Sequence, residues 1–403
     1  MSVLNGKKIL LGVSGGIAAY KTASLVRLFI KAGAHVQVIM TPASKDFVTP
    51  LTLSTLSKNP VYSTFYNEDD QNAEWNNHVE LGLWADLMLI APATANTLSK
   101  MANGNCDNLL IATYLSAKCP VYFAPAMDLD MYKHPSTIAS FSALKQFGNS
   151  MIPAENGELA SGLSGEGRMA EPENIIAFLE ADLESKLPLK GKKILITAGP
   201  TYEAIDPVRF IGNHSSGKMG FDIANEAANL GASVILVSGP TNFKVRNTSI
   251  EVVNVMTAQE MFDACHLYFN DVDVAIAAAA VADYRPKEVA LQKIKKTSQE
   301  FSIELEKTKD ILLSLGEIKK NQFLIGFALE TENEIENAKL KIQKKNLDLI
   351  VLNSLQDKGA GFKMPTNKVT FISKDFKIEP MDLKSKESVA VDILNKVIEH
   401  FYA

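Results

Sequence analysis

The sequence predicts an α/β protein built from two tandem doubly wound domains, and three observations carry that prediction. First, Gly6-Lys7-Lys8-Ile9-Leu10 returns as Gly191-Lys192-Lys193-Ile194-Leu195. Second, each copy runs into a glycine-bearing turn, a helical stretch and another apolar strand, which is how a parallel βαβ unit begins. Third, a turn-rich joint, Lys186-Leu187-Pro188-Leu189-Lys190-Gly191, separates the two starts. Two such starts imply two Rossmann-like sheets with domain bounds at 1–189 and 190–403. A chain of 403 residues is long enough for this, at about 100–200 residues per domain.

The elements follow in order. The first turn is Gly12-Val13-Ser14-Gly15-Gly16, and the second strand, His35 to Met40, follows Ala32-Gly33-Ala34. Asp86 to Ala91 and Val121 to Ala124 are short apolar runs whose length and punctuation favour buried strands over helix. Pro172 to Leu187 reads as an acidic helix before the joint. In the second half the turn is Ala198-Gly199-Pro200, and Ser233 to Val237 follows Leu230-Gly231-Ala232. Val274 to Ala280, Phe323 to Ala328 and Leu347 to Leu352 are further strands, and Thr331 to Lys345 is a charged surface helix.

Composition narrows the function. Apolar content of 46% with 22% charged residues is ordinary for a soluble globular protein. A formal net charge of −5 argues against a general nucleic-acid binder. Cys106, Cys119 and Cys265 form no CxxC pair, and the six histidines lack zinc-ligand spacing, so no disulfide framework or structural zinc is expected. Met1 to Lys8 runs directly into a strand pattern, so no signal peptide is expected and reduced cytoplasm is the simplest compartment. The longest apolar run, Val272 to Ala282, contains Asp273 and falls short of the ~20 residues a membrane span needs.

In the first half, glycines after a strand let backbone N–H groups approach an anion. The spacing in Ser14-Gly15-Gly16-Ile17-Ala18-Ala19-Tyr20-Lys21 is not GxGxxG, so the dinucleotide fingerprint is absent. Further on come Ala91-Pro92-Ala93-Thr94-Ala95-Asn96, Met101-Ala102-Asn103-Gly104, Pro125-Ala126-Met127-Asp128-Leu129-Asp130-Met131 and Gly165-Glu166-Gly167-Arg168-Met169. Together these segments resemble the FMN-dependent cysteine decarboxylase family, whose domain is flavodoxin-like. The resemblance implies that Ser14, Gly15, Gly16, Ile17, Ala18, Thr41, Ala93, Thr94 and Asn96 hold FMN. It implies that Met127, Met131, Arg168 and Met169 meet the substrate. His78 stands where the family has its catalytic histidine, implying a base and orienter. The implied chemistry oxidises the cysteinyl Cβ–SH to a thioaldehyde, giving an electron sink β to the carboxylate, so that CO₂ departs to leave an enethiolate.

Two positions depart from the family pattern. Asp128 stands for an Asn that donates to the substrate carboxylate, and an ionised Asp would repel that group unless its pKa were strongly raised. Ser161, in Ala160-Ser161-Gly162, stands for a proton-donating Cys. A thiol ionises near about pH 8.5 and a hydroxyl is a far weaker acid, so Asp128 becomes the leading alternative donor and Cys106 a second. Retained decarboxylation is the favoured expectation, with an impaired or scaffold-like first half as the alternative.

The second half carries a long loop, Ile196 to Gly220, containing Asn213-His214-Ser215-Ser216-Gly217-Lys218. Its Gly, Ser, Asn and Lys suit phosphate, although GxxxxGK[ST] is missing. Ala277-Ala278-Ala279-Ala280-Val281-Ala282-Asp283 follows a strand and ends in an acid, Lys293-Ile294-Lys295-Lys296 is a cationic cluster, and Lys341 and Lys345 share a helix face. Lysine groups alone read as solvated surface. In combination with the loop they resemble phosphopantothenate–cysteine ligase over residues 190–403. That resemblance implies a cytidine pocket of Ala277, Ala278, Ala279 and Phe327, with Asp283 on the ribose or base. It implies further nucleotide contacts from Lys307, Thr308, Lys309 and Asp310, Lys309 replacing a usual Pro. Lys341 and Lys345 are expected on the triphosphate, and Asn213 and Lys293 as catalytic groups. The implied partners are CTP, 4′-phosphopantothenate and L-cysteine, with Mg²⁺ on the phosphates. The protein ligand set for the metal is left open. The resemblance also implies a homo-oligomer of flavin-domain trimers and ligase-domain dimers able to combine into a dodecamer. A nicotinamide oxidoreductase is disfavoured, since neither first strand leads into GxGxxG with an acid about 20 positions on. A purely regulatory scaffold is disfavoured by the full set of ligase motifs.

Overall fold

The computed structural model describes residues 2–66, 75–295, 301–330, 332–354 and 364–402. The chain divides into two compact units, Met1–Ser185 and Lys186–Ala403. The division falls at 185/186 because the joint belongs to the second unit: Leu189 is fully buried in its core, and the Leu189 N–H donates to the Leu230 carbonyl at 2.9 Å.

The first unit is a six-stranded parallel sheet. Its strands are β1 (Lys8–Val13), β2 (His35–Met40), β3 (Val61–Tyr62), β4 (Leu87–Ala93), β5 (Val121–Pro125) and β6 (Ser150–Met151), in the order β3-β2-β1-β4-β5-β6. Alternation of side chains sends Ile9, Leu11 and Val13 to one face, where they pack on Leu25, Phe29, Ile175 and Leu179. Leu10, Met88 and Ile90 go to the other, against Leu98, Leu110 and Leu144. Burial on both faces explains why these strands read as near-continuous apolar runs. A hairpin, β7 (Glu155–Glu158) with β8 (Ser164–Arg168), stands apart from the sheet.

The second unit repeats the plan with eight strands ordered β13-β12-β9-β14-β17-β18-β20-β21. These are β9 (Lys193–Ala198), β12 (Ser233–Ser238), β13 (Glu251–Asn254), β14 (Val274–Ala277), β17 (Phe323–Glu330), β18 (Leu349–Ser354), β20 (Val369–Ser373) and β21 (Ile378–Pro380). Pairing is parallel as far as β18, and β20 and β21 are added antiparallel. Small ribbons pair β10 (Tyr202–Ala204) with β11 (Phe210–Gly212), β15 (Tyr284–Pro286) with β16 (Leu305–Lys307), and β19 (Thr366–Asn367) with β22 (Lys384–Ser385).

The strand expected over Val274 to Ala280 ends early, at Ala277. The Thr197 hydroxyl accepts the Ala279 N–H at 3.1 Å and the Thr201 hydroxyl accepts the Ala282 N–H at 3.0 Å, drawing Ala278–Ala282 off the sheet. The charged helix spans Glu334–Lys344, and the acidic helix before the joint ends at Ser185. No helix of the described residues is long and apolar enough to cross a membrane.

Candidate functional site

Each unit opens a cavity beside the C-terminal ends of its parallel strands, where open α/β sheets bind ligands. In the first unit the cavity is about 960 Å³. The turns after β1, β2, β4 and β5 bring Gly15, Gly16, Ile17, Ala18, Thr41, Thr94 and Asn96 to its wall together with Met127, Asp128, Met131, Ser161, Arg168 and Met169. Ser14 and Ala93 are fully buried beneath that wall instead. Ser14 joins the two turns: its hydroxyl donates to the Pro92 carbonyl at 2.6 Å and accepts the Thr94 N–H at 3.1 Å.

The wall is shaped for a bulky polar group. A Cβ on Gly15 would come within 2.8 Å of the Ala43 Cβ, so the turn leaves its backbone open only as glycine. The Thr41 hydroxyl is buried with no hydrogen-bond partner among the described residues, so a polar ligand can supply one. These features fit FMN as the group the cavity takes.

The substrate-facing side is held by hydrogen bonds and ion pairs. The Met127 N–H donates to the Gly167 carbonyl at 3.0 Å, and Gly167 has φ +135°, with room for no Cβ, since one would lie 2.4 Å from the Met127 carbonyl oxygen. Asp128 caps the helix Leu129–Lys133 by accepting the Leu129 N–H at 2.7 Å. Lys21, almost fully buried, reaches the Met169 carbonyl at 2.9 Å and Glu171 at 3.0 Å, and Glu171 also pairs with Arg168. Burial alone would raise the Glu171 pKa, but Lys21 and Arg168 outweigh it and hold the carboxyl below its usual value. Ser161 sits in the β7–β8 turn, closed by the Gly162 N–H to the Leu159 carbonyl at 2.9 Å. Sequence reasoning missed Lys21 as the anchor of Arg168. It stood inside the glycine segment, but only the fold reveals Glu171 as its partner.

His78 does not line this cavity within its own chain. It begins the helix His78–Trp84, edge-on to Phe65, and its buried Nδ1 has no hydrogen-bond partner among the described residues.

The second cavity is about 400 Å³ and joins Asn213, Ala278, Ala279, Asp283 and Phe327 with Ser215, Ser216, Lys218 and Lys386. The Asn213 amide donates to the carbonyls of Ala280 at 3.2 Å and Val281 at 2.9 Å, clasping the loop that carries Asp283. The Thr308 N–H in turn donates to the Asp283 carbonyl at 3.0 Å.

Other expected ligase residues lie off this wall. Ala277 ends β14, and Lys307 pairs across from Tyr284 in the β15–β16 ribbon. The Lys309 ammonium stands 4.6 Å from the Phe262 ring centroid. Lys345 pairs with Asp310 at 2.8 Å and Lys341 with Glu330. Lys293 is exposed on a segment fastened to the loop before Asn213, where the Asp206 carboxylate accepts the Ile294 N–H at 3.1 Å. Lys296 lies outside the described residues. Lys386, Asn353 and Asn367 line the cavity unforeseen, because the end of β18 and the chain beyond it carry no motif of their own. Among the described residues no cluster of three or more His, Cys, Asp or Glu could hold a metal.

Comparisons with known proteins match both units. The family described as Flavoprotein matches residues 2–184, and the DNA/pantothenate metabolism flavoprotein C-terminal domain matches residues 189–401. A protein named Cysteine/Cysteine sulfinic acid decarboxylase, from an unknown prokaryotic organism, is 52% identical over 87% of this chain and 99% of its own length. The Coenzyme A biosynthesis bifunctional protein CoaBC of Bacillus subtilis is 45% identical over 98% of this chain and 97% of its own. The crystal structure of the C-terminal domain of a Coenzyme A biosynthesis bifunctional protein CoaBC is 46% identical, covering 54% of this chain and 99% of that one at a TM-score of 0.47.

Proposed function

The chain belongs to the bifunctional coenzyme A biosynthesis family, joining a flavoprotein domain to a DNA/pantothenate metabolism flavoprotein C-terminal domain, and from that premise we infer how its two cavities divide the work. It is a phosphopantothenate–cysteine ligase and a phosphopantothenoylcysteine decarboxylase. In our reading the second unit joins cysteine to 4′-phosphopantothenate using CTP, and the first removes CO₂ from the product. The observation that carries this is the presence of a separate cavity at the strand ends of each unit, one fitted to a flavin and the other gathering Asn213, Asp283 and Phe327.

For ligation, the substrate carboxylate attacks the α-phosphorus of CTP, forming an acyl-cytidylate and releasing pyrophosphate. The cysteine amine then attacks the acyl carbon and CMP departs. Asn213 orients the acyl group from the edge of the Ala280–Val281 loop, Asp283 and Phe327 hold the nucleoside, and Lys293 stabilises charge at the reacting centre. Mg²⁺ bound with the nucleotide would neutralise charge on its phosphates.

For decarboxylation, bound FMN supplies the two-electron oxidation of the cysteinyl thiol and the electrons that later restore it. Gly15 and Gly16 leave space for its phosphate, and the Thr41 hydroxyl gains the partner it lacks. Arg168, pinned by Glu171 and Lys21, positions the substrate. Asp128 and Ser161 flank the reacting end, and Asp128 takes the proton-donor role. His78 reaches a cavity in a neighbouring copy. The homo-oligomer of flavin-domain trimers and ligase-domain dimers, able to combine into a dodecamer, rests on the family resemblance.

A second reading concerns the first unit's substrate. A carboxylate at position 128 suits a free α-ammonium, and the 52% identical relative is named for cysteine and cysteine sulfinic acid. CO₂ release from L-cysteine or cysteine sulfinic acid at a rate matching phosphopantothenoylcysteine would establish it. The main reading is tested by CTP-dependent pyrophosphate release that requires both phosphopantothenate and cysteine, and its absence would refute it.

A further inference from the structure

The loop from Ala278 to Asp283 carries the acid of the second cavity, and a series of hydrogen bonds fixes its course. The Ala279 N–H donates to the Thr197 hydroxyl at 3.1 Å, the Ala280 N–H to the Gly199 carbonyl at 2.9 Å, and the Ala282 N–H to the Thr201 hydroxyl at 3.0 Å. These acceptors lie along one stretch, the end of β9 and the turn after it. A parallel bridge between Pro200 and Ala280 joins the same two segments.

The acceptors differ in kind. A carbonyl such as that of Gly199 is offered by any residue, whereas a hydroxyl at 197 or 201 is a choice of side chain. Thr201 is fully buried and stands outside the cavity wall, so its effect on a ligand passes through the loop. Its partner Ala282 is almost fully buried and is gripped from the other side too, since the Thr308 hydroxyl donates to the Ala282 carbonyl at 2.7 Å. The Thr308 N–H donates to the next carbonyl, that of Asp283, at 3.0 Å. Because the peptide unit is planar, fixing both polar groups of Ala282 restricts the Cα of Asp283, while the Asp283 side chain stays exposed at the cavity. A buried N–H without an acceptor is costly, so a loop deprived of the Thr201 hydroxyl shifts to bring the Ala282 N–H to water.

We propose that Thr201 is a positioning residue of the ligase: its hydroxyl sets the Ala282–Asp283 peptide so that the Asp283 carboxylate meets the nucleoside. The inference rests on the ligase reading above, in which Asp283 holds the nucleoside, and adds to it a residue that acts from beneath the wall. Lys293, which acts at the reacting centre in that reading, belongs to a different segment. Displacing the Asp283 carboxylate therefore weakens nucleotide binding more than it slows the bound complex, and the loss falls on KM for CTP rather than on kcat.

The test uses the full-length, flavin-loaded protein with Thr201→Val, Thr201→Ser and Asp283→Ala, and follows pyrophosphate release while CTP, phosphopantothenate and cysteine are varied in turn. Thr201→Val keeps the shape and removes the acceptor, and Thr201→Ser keeps the acceptor. We expect Thr201→Val to raise KM for CTP by about tenfold, with kcat at saturating CTP within about threefold of wild type and the other two KM values within about twofold. Thr201→Ser is expected to restore most of the affinity. A merely structural role lowers the folded fraction, which reduces apparent kcat and leaves KM for CTP where it was. That result overturns the proposal, as does a loss that Thr201→Ser shares in full. If Thr201→Val does not fold, Thr201→Ala against Thr201→Ser decides on the same readouts. If Asp283→Ala raises KM for CTP while Thr201→Val leaves it unchanged, the positioning role alone fails. If Asp283→Ala leaves that KM unchanged, the nucleoside assignment of the ligase reading fails.

Discussion

The Asp206 carboxylate accepts the Ile294 backbone N–H at 3.1 Å across 88 positions of sequence. The same side chain accepts the Val208 N–H at 2.9 Å and the Arg209 N–H at 2.8 Å, and it is forked by the Arg209 guanidinium. One buried acid thereby fastens the segment bearing Lys293 to the loop that leads to Asn213. We expect Asp206→Ala to lower ligase kcat by about tenfold to a hundredfold through misplacement of Lys293, with decarboxylation unaffected. Parallel assays of the two activities measure this, and equal loss of both would contradict it.

The same acid predicts a pH dependence. The Arg209 guanidinium, aided by three backbone N–H groups, holds the Asp206 carboxyl well below the usual carboxylate range. Because the folded pKa lies below the unfolded value, the stabilisation is complete above about pH 4 and is lost as pH falls further. Acid unfolding followed by circular dichroism is expected to show less of this acid-side loss in Asp206→Asn. An unchanged acid limb would contradict the assignment.

Thr41 carries a buried hydroxyl without a hydrogen-bond partner among the described residues. Thr41→Val keeps the shape and removes the hydrogen bond, worth about 0.5–1.5 kcal/mol, so FMN affinity is expected to fall by roughly twofold to twelvefold. Fluorescence titration of stripped protein with FMN measures this, and unchanged affinity would contradict it.

At Gly167 a side chain would meet the Met127 carbonyl oxygen at 2.4 Å on a backbone with φ +135°. Gly167→Ala is expected to destabilise the first unit by about 1–3 kcal/mol and to suppress decarboxylation while ligation continues. Thermal unfolding with both assays tests it. Wild-type decarboxylation in this variant would contradict the close packing of β8 on the Met127–Asp128 corner.

Much of this fold is legible in the sequence. The echo of Lys8–Leu10 in Lys193–Leu195 marked the first strand of each sheet, because strands buried on both faces must be continuously apolar. The turns around Gly15 and Asn213 were legible because backbone that approaches a phosphate restricts residue type. Partnerships across the fold were not. Neither Lys21 with Glu171 nor Asp206 with Ile294 has a local signature, and Lys386 reads as an ordinary helix-starting charge. The end of β14 at Ala277 was also hidden, since Ala278–Ala280 stay apolar and only the Thr197 and Thr201 hydroxyls draw them away.

Ser161 gives a directional prediction. Restoring a thiol by Ser161→Cys supplies a better acid than a hydroxyl and is expected to speed release of the saturated thiol and reduce any enethiol that accumulates. Chromatography of the products at fixed turnover checks it, and an unchanged ratio would assign proton donation elsewhere, with Asp128→Asn as the companion variant.

The most direct measurement is mass spectrometry of the products formed from 4′-phosphopantothenate, cysteine, CTP and Mg²⁺ by the wild-type protein and by Lys293→Gln. The account predicts that wild type yields CMP, pyrophosphate and decarboxylated phosphopantetheine, and that Lys293→Gln folds normally but forms almost no cysteine adduct. A wild-type reaction that consumes no CTP, or a Lys293→Gln variant that ligates at the normal rate, would contradict it.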